Sequence, residues 1–126
     1  MTIDRLSYTR LMSDLEKLQK RVLDFRDDRN WKQFHNPKDL AISLLAEATE
    51  LLDEFKWKDA KAVEEHVKNH KESVSDEVMD VLYHVLLISA DLGIDINAEF
   101  ERKMLVNEKK YPIEKASGNN KKYTEL

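Results

Sequence analysis

Hydrophobic positions along the chain fall into blocks with helical spacing. Leu11, Leu15, Leu18, Val22 and Phe25 recur at steps of four and three, one apolar stripe that predicts a helix over about residues 4–29. Its other face, with Arg10, Glu16, Lys17, Lys20 and Arg21, is expected to be solvated. The stripe ends at Phe25, which argues for a bundle helix over a coiled coil. After a polar break, Asn36 and Pro37 supply an N-cap and a first-turn proline for a second helix, 37–58, with Leu44, Ala48, Leu51 and Phe55 as its buried stripe. Asp59 is placed to cap a short charged helix over 60–70, thinly apolar through Ala62, Val63 and Val67. Ser73 or Ser75 is expected to start a long helix that runs to Leu92, with Gly93 as its left-handed C′ residue. Asp95 caps a last helix with Ile96, Phe100 and Met104 on its apolar side, and Pro112 ends it. Residues 113–126 contain SGNNKKY and are expected to be irregular; no solenoid repeat or low-complexity segment is present.

Two of these helices carry acidic pairs where a core edge should be. Glu47 and Glu50 lie three residues apart beside the second helix's stripe, and Glu77, Asp80 and His84 border Val78, Val81, Val85 and Ile88. Residues i and i+3 share a helix face. If the two helices pack antiparallel, four carboxylates converge with no Lys or Arg on either stripe, and carboxylates at a core edge need a positive partner. Hard divalent cations with oxygen ligands, Mg²⁺ above all, suit that arrangement. A single such pair is commonly just a solvated helix edge; two pairs on strongly apolar helices favour a metal site.

Composition narrows the class. A chain of 126 residues fits one domain, 1–126, able to bury roughly two-thirds of its unfolded surface. Two Gly and two Pro among many Leu, Glu and Lys indicate an all-α protein, four-helix-bundle-like. A net charge of −4 gives no reason to expect nucleic acid as a partner. The absence of Cys excludes disulfides and thiolate metal sites and is compatible with a cytoplasmic location. MTIDRLSYTR has no apolar region of the signal-peptide kind, and the apolar run over 81–92 is too short to span a bilayer.

The remaining chemistry is read by elimination. No Ser or Lys has an evident base partner, so covalent catalysis lacks support. Four clustered carboxylates exceed what a glycosidase needs. A di-iron bundle uses Glu-x-x-His, and none of the four histidines has a Glu three residues before it. Mg²⁺ with phosphate chemistry is left. Lys103, Asn107 and Lys110 form one polar, cationic stripe, either a solvated face or a holder of phosphate oxygens. Trp31, Phe34 and His35 in a short polar loop either lid the core or offer a platform for a planar ligand. His66 and His70, at i and i+4, have the spacing of a metal-binding pair, but with no third ligand in view they are expected to be solvated.

In these motifs the chain resembles the all-α nucleoside triphosphate pyrophosphohydrolases, the MazG-like group, and within it looks most like the dCTP pyrophosphatases. The resemblance rests on Glu47-Ala-Thr-Glu50, Glu77-Val-Met-Asp80, Trp31-Lys-Gln-Phe-His35-Asn-Pro37, Phe55-Lys-Trp57-Lys58, Lys103-x-x-x-Asn107, Tyr111-Pro112 and the terminal Lys122-Tyr-Thr-Glu-Leu126. It implies cleavage between the α- and β-phosphates of a dCTP-like or modified pyrimidine nucleotide, giving a monophosphate and pyrophosphate. It implies Mg²⁺, for which Mn²⁺ can substitute, on Glu47, Glu50, Glu77 and Asp80. Lys103 and Asn107 would meet the triphosphate, joined by Lys110 of the same stripe. Trp31 and Trp57 would enclose the base, with His35 and His84 beside it. Similar proteins are dimers or tetramers with shared sites, so a homo-oligomer is expected. The chain departs from the dCTP pyrophosphatases at Val22, where they have His, and at His84, where they have Tyr; Thr49 stands where the broader family often has Gly. The same reaction on dUTP or a damaged purine, and a non-catalytic nucleotide-binding helical module, are the competing expectations. Trp31 and Trp57 are about 26 residues apart, ~39 Å along a straight helix at 1.5 Å per residue. The expectation is therefore that they meet one base from different subunits.

Overall fold

The structure, a computed structural model, describes residues 12–126. Its elements are α1 (Asp14–Asp28), a 3₁₀ turn (Lys32–Phe34), α2 (Pro37–Asp53), α3 (Ala60–Asn69), α4 (Lys71–Asp91), α5 (Ile96–Lys110), α6 (Ile113–Ala116) and a 3₁₀ turn (Tyr123–Glu125). The described residues are all-α, and among them no helix is long and apolar enough to cross a membrane. They divide into two compact units, one ending at Gly93 and the other Ile94–Leu126.

In the first unit α1, α2 and α3 all pack on α4. Leu40 of α2 and Leu86 and Leu87 of α4 are fully buried where these helices meet. The Gln19 side-chain amide donates to the Leu86 carbonyl at 2.9 Å, satisfying polar groups between α1 and α4. Arg26 is buried as well. Its Nη1 donates to Asp91 at 2.8 Å, and this bond, together with the Arg26 charge, holds the Asp91 carboxyl below its usual range.

Several sequence-based boundaries shift for identifiable reasons. The predicted helix over 4–29 is interrupted: Ser13 has an extended backbone and forms a capping box with Glu16, so α1 starts at Asp14. The part before Met12 lies outside the described residues. The second helix stops at Asp53 and not at 58. There Glu54 hydrogen-bonds His66, Phe55 turns edge-on to the His66 ring, and Trp57 takes a left-handed φ of 67° that no helix continues. The fourth helix begins at Lys71, straight after His70, because the Ser73 hydroxyl donates to Glu54 instead of capping. Asn36, Asp59 and Asp95 cap as expected, and Gly93 has φ 66°.

The stripe on α2 also differs. Leu44 and Leu51 are half-buried but Ala48 is exposed. A second apolar face, Ile42, Leu45 and Leu52, stays 55–67% exposed, and Val78, Met79 and Val85 of α4 are exposed too. In the second unit the expected irregular tail is partly ordered. Tyr123 meets Tyr111 edge-on at 6.0 Å, and the Lys110 ammonium lies 4.6 Å from the centre of the Tyr123 ring.

Candidate active site

α2 and α4 run antiparallel, as their contacts reveal. Glu54 bonds Ser73, Glu50 meets Glu77, and Glu47 feels Asp80 and His84, so one number falls as the other rises. That register brings Glu47, Glu50, Glu77 and Asp80 together, with one carboxylate oxygen of each within 4.8 Å of all the others. Glu47 and Glu77 stand on the inner side and Glu50 and Asp80 on the solvent side. One oxygen of Glu47 and one of Glu77 are buried without a hydrogen-bond partner. Burial first, and then the Glu50 carboxyl beside it, raises the pKa of each of these two glutamates. Orphaned acceptors in a like-charged cluster with no Lys or Arg bonded to it among the described residues are what a hard cation satisfies, so the residues fit a divalent metal.

A cleft of about 710 Å³ opens from this cluster, within the usual range of ligand pockets. Glu47 and Asp80 stand at its polar end; Val22, Phe25, Trp31 and Tyr83 form much of its apolar wall. Phe25 meets the Trp31 ring edge-on at 5.7 Å and Tyr83 at 6.1 Å. The aromatic loop is fastened from below: the Trp31 N–H donates to the Arg26 carbonyl at 3.1 Å, and Arg26 Nη1 reaches His35 Nδ1 at 3.5 Å. A guanidinium only donates, so His35 Nδ1 accepts and its Nε2 carries the proton. His84 is held the other way. Its Nδ1 lies 2.9 Å from the Asp80 carbonyl, which only accepts, so Nδ1 carries the proton there.

The structure therefore brings Glu47, Glu50, Glu77, Asp80, Trp31, His35 and His84 to one region. Trp57 is not among the cleft's lining residues and is 95% exposed. Lys103, Asn107 and Lys110 belong to α5 in the second unit; Lys103 is exposed and Asn107 half-buried. His66 is not solvated as expected: it is half-buried against Glu54 and stacked on His70 at 4.7 Å. Two groups escaped the sequence reading. Arg21, expected on the solvated face, lines the cleft, and its spacing from Leu18 and Phe25 was the available signal. The Arg26–Asp91 pair, 65 residues apart, left no local signal.

Comparison with known proteins agrees with this geometry. The model of the MazG-like family matches residues 42–126. dCTP pyrophosphatase 1 of Homo sapiens is 30% identical over 114 residues, covering 89% of this chain and 67% of the relative; that of Rattus norvegicus is 31% identical with the same coverage. The crystal structure of a pyrophosphatase from Archaeoglobus fulgidus superposes with a TM-score of 0.75 at 35% identity, covering 80% of this chain and 94% of that one. With the acidic pairs in register and these matches in hand, the chain belongs to the MazG-like family, the all-α nucleoside triphosphate pyrophosphohydrolases.

Proposed function

We propose that this enzyme is a Mg²⁺-dependent pyrophosphohydrolase that splits dCTP or a related pyrimidine nucleotide into the monophosphate and pyrophosphate. The observation that carries the reading is the convergence of four carboxylates, two with orphaned oxygens, at the end of an aromatic cleft. Glu47, Glu50, Glu77 and Asp80 hold the metal, which supplies charge neutralisation on the phosphates and a more acidic water. A carboxylate oxygen left free by the metal orients the attacking water and takes its proton. Trp31 stacks on the base, with His35 presenting an N–H and His84 its Nε2 to the ring edge. Lys103, Asn107 and Lys110 are assigned to the phosphates.

The finer architecture proposed with this is a single four-helix-bundle-like domain in a cytoplasmic homodimer or homotetramer. The exposed apolar face of α2 and the uncovered Trp57 support it. In that assembly Trp57 completes the base site of a neighbour. Val22 and His84, which alter the polar groups beside the base, support a second reading in which the same reaction acts on another base, such as dUTP or a damaged purine. Pyrophosphate release from a panel of canonical and modified triphosphates, with and without Mg²⁺, tests both. Release from dCTP with Mg²⁺ supports the first reading and release from another base the second. No release from any nucleotide refutes both and leaves a binding module.

A further inference from the structure

The basic residues of α1 and its C-cap are nearly all committed. Lys17 pairs with Asp14, Lys20 with Asp24, and Arg26 with Asp91. Arg29 donates to the Phe25 carbonyl and lies 3.6 Å from the centre of the Phe25 ring. Arg21 is the exception among these described residues: its side chain has no hydrogen bond or ion pair. It shares a helix face with Leu18 and Phe25, at i−3 and i+4, and these three line the cleft together with Val22. An arginine whose guanidinium has no partner thus belongs to a wall whose other members on α1 are apolar.

We infer that Arg21 is a specificity-determining residue that reads the edge of the bound base; this rests on the nucleotide function proposed above. A guanidinium offers two parallel N–H donors in a fixed fork and no acceptor. The fork matches a base edge with two adjacent acceptors. Cytosine has one in O2 and N3, and guanine has one in O6 and N7. Uracil and thymine interrupt the series with N3–H, and adenine sets its amino group beside N1 and N7 and leaves N3 without an adjacent acceptor. A phosphate would accept the same fork. The neighbouring wall of Val22, Phe25, Trp31 and Tyr83 is suited to a flat ring and not to a phosphate, which favours the base. Arg21 thereby supplies base-edge polarity on the helix where Val22 has no polar atom.

Nucleoside monophosphates separate base reading from hydrolysis, because they test the cleft without a scissile bond. Isothermal titration of the wild type, Arg21→Leu and Arg21→Lys with dCMP, dGMP, dUMP and dAMP is the experiment. The wild type should bind dCMP or dGMP more tightly than dUMP and dAMP. Both variants should lose that preference by about fivefold to a hundredfold, the worth of one bidentate pair. Lysine keeps the charge but not the fork, so it should not rescue. Equal losses for all four nucleotides would make Arg21 a phosphate or sugar contact and overturn the inference. Unchanged affinities would make it a solvated residue and do the same. Arg21 is exposed, and unchanged far-UV circular dichroism confirms that the variants fold. Parallel measurement of pyrophosphate release from triphosphates by the wild type keeps the two questions apart. If release is absent while the monophosphate pattern holds, the hydrolytic function fails and the base reading stands.

Discussion

Removing the charge of Glu50 should reverse its effect on stability according to whether Mg²⁺ is present. Glu50 is the exposed carboxylate beside both Glu47 and Glu77, and it raises the pKa of each. Ligand oxygens of Glu47 and Glu50 lie within 4.8 Å of each other. Two unit charges at that distance repel by ~0.9 kcal/mol in a water-like dielectric, the apt choice for an exposed group. Glu50→Gln should therefore raise the melting temperature of the metal-free protein by ~3 °C for a domain of this size. With Mg²⁺ at a hundred times its dissociation constant, the wild type gains ~2.7 kcal/mol, most of which the variant forgoes. The two melting curves should exchange order as Mg²⁺ is added. Turnover should fall at least about a hundredfold, the loss expected when charge stabilisation at a reacting centre is removed. Differential scanning calorimetry at 0 and 10 mM Mg²⁺, chosen as on the order of a hundred dissociation constants, reads both halves. A variant less stable than the wild type without metal, or one with the full Mg²⁺ shift, would refute the reasoning.

Three further outcomes follow from other features. Asp91→Asn should cost about 2 kcal/mol in urea unfolding, because Arg26 stays buried without its counter-charge while the partly exposed Asp91 softens the loss; no loss would remove the pair from the account of the loop. Trp57→Ala should weaken nucleotide binding by about fivefold to a hundredfold through lost stacking. Mixing Trp57→Ala with Asp80→Asn subunits should restore activity above either alone if Trp57 acts on a neighbour, and no recovery rules that out. The metal-free melting temperature should pass through a maximum between the lowered pKa values of Glu54 and Asp91 and the raised ones of Glu47 and Glu77. Glu47 and Glu77 titrate above 4.5 when folded, so their stabilising effect is complete below that value and lost as pH rises through the raised pKa. Glu54 and Asp91 are depressed from 4.5 and 3.8, so theirs is present above those values and lost as pH falls through the folded pKa. A melting temperature that climbs steadily from pH 5 to pH 8 would contradict these assignments.

The acidic site was legible because its information is local. Glu47 with Glu50 and Glu77 with Asp80 lie within single turns, and only the antiparallel packing of α2 on α4 had to be supplied. The caps at Asn36, Asp59 and Asp95 were legible for the same reason, since a side chain three residues from its N–H needs nothing else. What failed was settled by distant partners. Ser73 reads as a cap until Glu54, 19 residues away, takes its hydroxyl. Phe55 reads as a continuation of α2 until His66 draws it aside. Arg21 is exposed, as its charge implies, and only its spacing from Leu18 and Phe25 signals that it also lines the cleft.

The ion pair between Arg26 and Asp91 bears on how this sequence can change over time. Arg26 is 2% exposed, and it also reaches His35 and accepts the Trp31 N–H through its carbonyl. Replacing either charged partner alone passes through a buried, uncompensated ion, while replacing both with neutral or exchanged residues does not. Drift at positions 26 and 91 is therefore expected in pairs, as covariation between sites 65 residues apart. Each such paired exchange also resets what fastens the aromatic loop, giving the family a route to a reshaped cleft without altering the four clustered carboxylates.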